Sequence, residues 1–207
     1  MKVELKSITP DIESTIVEIA RVSSTRKDKT INPEGLIKYL IDNNHWSPFE
    51  MASICFEIET SKAIGIQLLR HRSFSFQEFS QRYAEVQSFE QIEFRKQCEN
   101  NRQSSTESVD LFSDYQFYRD IDKHLQKSFD LYLELIDKGV AKECARMILP
   151  MCSTTTIYMS GTVRSWIHFL AIRDDEHSQK EMQLIAKEIK KIFIQELPNI
   201  SKSLDYV

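Results

Sequence analysis

Glycine is scarce in this chain: four in 207 residues, alongside five prolines and four cysteines. With so few glycines and no GxGxxG or Walker spacing, a glycine-lined phosphate cradle is not expected. The cysteines Cys55, Cys98, Cys144 and Cys152 show no close pairing, which excludes a zinc or CxxC redox motif and leaves reduced thiols as the expectation. The histidines and carboxylates lack zincin-like spacing, so no metal site is expected. No apolar run approaches the ~20 residues that span a bilayer. The opening Met1-Lys2-Val3-Glu4-Leu5-Lys6 alternates as a strand does, not as a signal peptide does, and a cytoplasmic location is expected. A net charge of −4 argues against nucleic-acid or membrane-surface partners.

What remains is an ordinary globular composition, 41% hydrophobic and 28% charged, long enough for a single domain over 1–207. Helix signals alternate with strand signals irregularly, which points to an α+β fold with mixed helices and antiparallel sheet, not a doubly wound one. Thr9-Pro10 and Asn32-Pro33 each place a capping residue before a proline, predicting helix starts. Residues 51–58 are expected as a buried strand and 61–69 as a short helix. The polar stretch 97–108, within an irregular 89–110, reads as a loop. Ile121, Leu125, Phe129, Tyr132 and Ile136 mark a long helix resuming from Leu111 and stopped at Gly139. A short helix over 142–147, a strand over 154–159, and helices over 162–172 and 176–196 complete the expectation. Asp174-Asp175-Glu176 would be the acidic first turn of the last helix.

Chemistry concentrates between Arg70 and Arg82: Arg-His-Arg-Ser-Phe-Ser-Phe-Gln-Glu-Phe-Ser-Gln-Arg. Guanidinium groups suit phosphates and planar anions. Interleaved with Phe74, Phe76 and Phe79, they make a wall that can stack a ring and hold its phosphate. In an acidic chain this is a local anion site, and a nucleotide is the expected ligand.

Arg70-His71-Arg72, seven residues, then Ser80 resembles the signature of the flavin-dependent thymidylate synthases, and Ser75, Glu78 and Arg82 fit its fuller form. Gln77 stands where that family usually has asparagine. Further segments are similar in order and spacing: Ala20-Arg21-Val22-Ser23, His45-Trp46-Ser47-Pro48-Phe49-Glu50, the run from Glu143 to Pro150, and the run from Arg164 to Arg173. Met51 stands where histidine is frequent.

The resemblance implies conversion of dUMP to dTMP. Methylenetetrahydrofolate would be the carbon donor and FAD reduced by NADPH the hydride source, in a homotetramer with active sites between subunits. It implies flavin contacts from Ser47, Arg70, His71, Arg72 and Glu78, and a second set from Thr162, Arg164 and His168. It implies dUMP contacts from Gln67, Arg70, Glu78, Ser80, Gln81, Arg82, Arg146 and Arg173. Arg82 and Arg146 would take the phosphate, and Arg173 would act catalytically by favouring ionisation of the uracil N3–H. Ser80 has two readings, a substrate ligand or a nucleophile that needs a base such as His71. No cysteine falls at a position matched to an active-site role. Two rivals stay open: a nucleotide- or RNA-binding protein without catalysis, and a flavoprotein of the same fold that is inactive or altered in specificity.

Overall fold

The computed structural model describes residues 1–23, 32–110 and 115–206. Strand β1 (Lys2–Ile8) leads to helix α1 (Ile12–Ala20), then α2 (Pro33–Asp42), β2 (Ser53–Ser61) and α3 (Lys62–Leu68). There follow β3 (Phe74–Glu78), β4 (Arg95–Gln97), β5 (Ser105–Ser108) and the long α4 (Tyr115–Asp137). The chain ends with α5 (Lys142–Ala145), β6 (Thr154–Thr162), α6 (Val163–Arg173), α7 (Lys180–Glu196) and α8 (Pro198–Ser203). The main sheet has the order β1-β2-β6-β3, so β6 inserts between strands far from it in sequence, and β4 and β5 form an antiparallel pair. This is the expected α+β class.

Contacts cluster into two compact units, one of Met1, Glu59–Leu69 and Glu78–Ile157, the other of Lys2–Ile58, Arg70–Gln77 and Tyr158–Val207. The second unit carries the larger apolar core. Met182, Ile185, Ile189 and Phe193 of α7, at three- and four-residue spacing, are all buried. Trp166 of α6 is fully buried, and its indole N–H donates to the Ile54 carbonyl at 3.1 Å. The first unit packs Val86, Tyr132 and Ala145 with Phe79, Phe129 and Leu149. Its Tyr132 hydroxyl accepts from the Val86 N–H at 3.3 Å.

Several local expectations change. Asn32 does cap α2, accepting from the Glu34 N–H at 3.2 Å, and Gly139 stops α4 at φ +82°. Thr9 is not a cap. Asp11, at φ 45°, precedes α1, and the Thr9 hydroxyl instead accepts the Ser53 N–H at 2.9 Å, tying the end of β1 to β2. Residues 97–108 contribute to a short hairpin, pinned by the Gln97 amide donating to the carbonyls of Asn101 and Ser104. The strand expected at 51–58 runs over Ser53–Ser61 with alternate burial. The 142–147 helix is one turn of α followed by a 3-10 turn, Arg146–Ile148. The last long helix begins at Lys180, not at 176, because Asp175 accepts the His177 N–H at 2.8 Å and closes a turn there. Besides that hairpin, β3 and α8 are additional. The start of the long helix at Leu111 falls outside the described residues.

Candidate active site

The expected site residues divide between the two units. In the second unit, Arg70, His71 and Arg72 follow α3 and lead into β3, while α6 supplies Arg164, His168 and Arg173. His71 and Arg173, 102 positions apart, meet: the Arg173 Nε–H donates to His71 Nε2 at 2.9 Å. His71 is fixed by edge contacts to Phe169 (4.9 Å between centroids) and Phe74 (6.2 Å). Burial, then the Arg173 guanidinium, then His168, push its pKa down to about 4. His71 is therefore neutral near pH 7. As acceptor at Nε2 it carries its proton on Nδ1. Burial, followed by the nearby Arg70, also lowers Arg173, which stays cationic. Among the described residues no carboxylate partners Arg70, Arg72 or Arg173. Positive charge concentrated without counter-ions is what an anionic group such as a pyrophosphate requires.

Beside this cluster a cavity of about 540 Å³ is lined by Trp46, Ser73, Arg164, Ile167 and His168, with Glu50 hydrogen-bonded to Arg164. The size and mixed lining suit an aromatic ring system with a polar edge. Ser47 opens the adjoining 3-10 turn and is exposed. Thr162 caps α6, its hydroxyl accepting from the Ser165 N–H at 3.2 Å. A threonine does this with the β-region backbone a cap needs, so its hydroxyl serves the helix start that orients Arg164 and His168.

In the first unit, Gln67 lies in α3, and Glu78 ends β3. Lys62 (2.6 Å) and Thr155 (3.0 Å) both donate to Oε1 of Glu78. After β3 the chain turns. The Ser80 carbonyl accepts from the N–H groups of Tyr83 and Ala84, each at 3.0 Å, and Gln81 is buried. The Ser80 hydroxyl accepts weakly from the Arg82 N–H at 3.4 Å, and no base engages it among the described residues of this unit. The Arg82 guanidinium pairs with Glu143 at 3.0 Å, and Arg146 donates from Nε to the Glu143 carbonyl at 3.3 Å. Arg82 and Arg146 therefore share one short helix–turn platform.

Four participants were not singled out from sequence: Glu50, Lys62, Glu143 and Thr155. Glu50 and Glu143 sit inside quoted segments, but their ion pairs are tertiary. Lys62 and Thr155 carry no local signal at all. The described residues contain no metal-ligating group of three or more His, Cys, Asp or Glu, and none of their helices is long and apolar enough to cross a membrane.

The family model described as thymidylate synthase complementing protein matches residues 4–199. A probable flavin-dependent thymidylate synthase of Paramecium bursaria Chlorella virus 1 is 43% identical over the whole of both chains. A flavin-dependent thymidylate synthase of Synechocystis is 43% identical over 94% of this chain and 90% of its own. The structure superposes on the UMP/dUMP methylase PolB of Streptomyces cacaoi, solved with 5-Br dUMP, with a TM-score of 0.85 at 28% identity, covering 99% of this chain and 94% of that one. The same methylase solved with 5-Br UMP gives a TM-score of 0.86. With a family match across nearly its full length, the chain belongs to the thymidylate synthase complementing protein family.

Proposed function

We propose that this chain is a flavin-dependent thymidylate synthase acting as one domain over 1–207. It methylates dUMP to dTMP, taking a methylene from methylenetetrahydrofolate and two electrons from NADPH, and releasing the uracil C5 hydrogen as a proton. FAD, when bound, supplies the hydride chemistry. Arg70, His71 and Arg72, with Ser47, Glu78, Arg164 and His168, would hold it, and Thr162 would act by fixing the start of α6. The residues fit such a group, since the guanidiniums of Arg70 and Arg72 have no carboxylate among the described residues.

For dUMP, Arg82 and Arg146 take the phosphate. The Arg82–Glu143 pair is exposed, and exposed pairs contribute only about 0–1 kcal/mol, so a phosphate dianion displaces it readily. Gln67, Arg70, Glu78, Ser80 and Gln81 orient the nucleoside, with Ser80 as a ligand. Arg173 spends its Nε–H on neutral His71, which leaves its terminal N–H donors for the pyrimidine. A guanidinium there stabilises the ring as N3 loses its proton, and more strongly where water is excluded. Exposed Met147 (82%), Tyr83 (80%) and Met151 (53%) support assembly of several copies, as the homotetramer of this reading requires.

One contact carries the reading: Arg173 on a neutral His71, with Arg70 nearby and no carboxylate partner for either arginine among the described residues. The test is release of tritium from dUMP labelled at C5, with NADPH and methylenetetrahydrofolate, by protein whose visible spectrum shows bound flavin. A colourless protein that releases no tritium would refute it. Because the matched methylase acts on UMP as well, UMP belongs in the same assay.

A further inference from the structure

Glu78 is held by groups that none of the matched motifs contains. Lys62 Nζ and Thr155 Oγ1 donate to the same oxygen, Oε1, at 2.6 and 3.0 Å. Among the described residues no donor engages Oε2. Both side chains of the ion pair are largely shielded, at 28% and 19% exposure, so a charge-assisted bond here is stronger than a surface pair.

All three residues are also fixed through their backbones. The Lys62 N–H donates to the Ser153 carbonyl at 2.8 Å, and the Ala63 N–H to Met151 at 3.0 Å, which anchors the first turn of α3. Glu78 precedes Phe79, whose N–H donates to the Thr156 carbonyl at 2.8 Å, next to Thr155 in β6. Gly65, one turn along α3 from Lys62, lets the helix approach. A Cβ there would lie 3.1 Å from both Ile157 and Thr155 and 3.6 Å from Glu78 Oε1. Glycine inside a helix costs about 1 kcal/mol relative to alanine, and here it accompanies a close approach to the carboxylate.

The geometry points to Lys62 and Thr155 as positioning residues: they saturate Oε1 of Glu78 and hold the carboxylate in one orientation, so that Oε2 accepts a hydrogen bond from an N–H or O–H of the bound nucleotide. This rests on the proposed function, in which Glu78 faces ligand. An unheld glutamate would lose rotamer freedom on each binding event, and fixing it beforehand removes that cost.

The test uses full-length Lys62→Met, Lys62→Arg and Thr155→Val. Calorimetry on the flavin-loaded protein, without folate or reductant, should show the dUMP dissociation constant of Lys62→Met rising about tenfold or more, as expected on losing a charged hydrogen-bond partner. On holoenzyme, kcat/KM for dUMP should fall by a similar factor. Lys62→Arg should recover most of both, and Thr155→Val should show a smaller loss at unchanged melting temperature. Parental affinity and kcat/KM in Lys62→Met would overturn the assignment. If Lys62→Met fails to fold, parental values in Thr155→Val overturn it equally. A parental protein that neither binds dUMP nor releases tritium would instead refute the function and this inference together.

Discussion

Gly161→Ala should damage the protein through a single ring. Gly161 lies in β6, and a methyl group built there would sit 2.4 and 2.5 Å from Cδ1 and Cε1 of Phe74. Carbon atoms pack at about 3.5–4.0 Å, so the ring must retreat by ~1 Å or more. There is little room for it. Phe74 is 9% exposed, its centroid lies 4.6 Å from that of Trp166 and 6.1 Å from that of Phe169, and both neighbours are fully buried. Overpacking of this kind costs about 1–3 kcal/mol, and the depth of the overlap places it in the upper half of that range. Replacing glycine by alanine also restricts the unfolded chain, which returns about 0.4–1 kcal/mol. The net expectation is a loss of about 2 kcal/mol, or roughly 4–8 °C in melting temperature for a chain of this length.

Urea denaturation of the parental protein, Gly161→Ala, Phe74→Leu and the double variant would close the cycle. The smaller leucine should relieve the clash, giving a favourable coupling of ~1 kcal/mol or more. Because Phe74 also touches the His71 ring, the His71 titration followed by NMR should shift in Gly161→Ala and return towards its parental value in the double variant. A single variant within ~0.5 kcal/mol of the parent, or strict additivity with Phe74→Leu, would refute the steric account.

Other consequences follow from the arginine cluster. Arg173→Ala should abolish dTMP formation while FAD stays bound, and loss of the neighbouring cation should raise the His71 pKa from about 4. Turnover near the parental rate would remove Arg173 from its role. Arg72→Ala should weaken flavin retention, and unchanged flavin content after gel filtration would count against that assignment. The depressed His71 pKa also fixes the sign of a pH effect. Between its ordinary 6.5 and about 4, the unfolded chain binds a proton that the folded chain does not. Stability should therefore be level above pH 6.5 as far as this group is concerned, and should fall as the pH drops towards 4. Urea midpoints measured across that window should slope less in His71→Gln, and an equal slope would show that another group dominates.

The local signals that survived folding are those whose partners are near in sequence. Asn32-Pro33 caps α2 because the donor it satisfies is two residues away. Thr9-Pro10 looks alike in sequence, but Thr9 is taken by Ser53, 44 positions on. The strand β3 is legible in principle: Phe74, Ser75, Phe76 and Gln77 alternate apolar and polar, with Phe74 buried and Ser75 and Gln77 exposed. The α8 helix is likewise foreshadowed by Leu197-Pro198, which places a proline at a helix start.

The same division between near and distant partners explains which site residues a sequence can name. Arg70, His71, Arg72 and Arg173 belong to dense motifs, the pattern expected where several groups of one element are to meet one ligand. Lys62, Glu50, Glu143 and Thr155 each act on one motif residue from another element, at separations of 16, 114, 61 and 77 positions. A residue that touches only a protein partner is constrained by that partner and by backbone register. Lysine, glutamate or threonine can meet such a demand at many positions, so the choice leaves no periodic or clustered trace. What sets it apart is tertiary: two donors converging on one carboxylate oxygen, with the other oxygen free of donors among the described residues. In the proposed function the motifs name the groups that meet ligand, and only the folded chain shows the groups that hold them. Substitutions at Lys62 and Thr155, which stand outside every matched motif, should therefore change affinity and turnover.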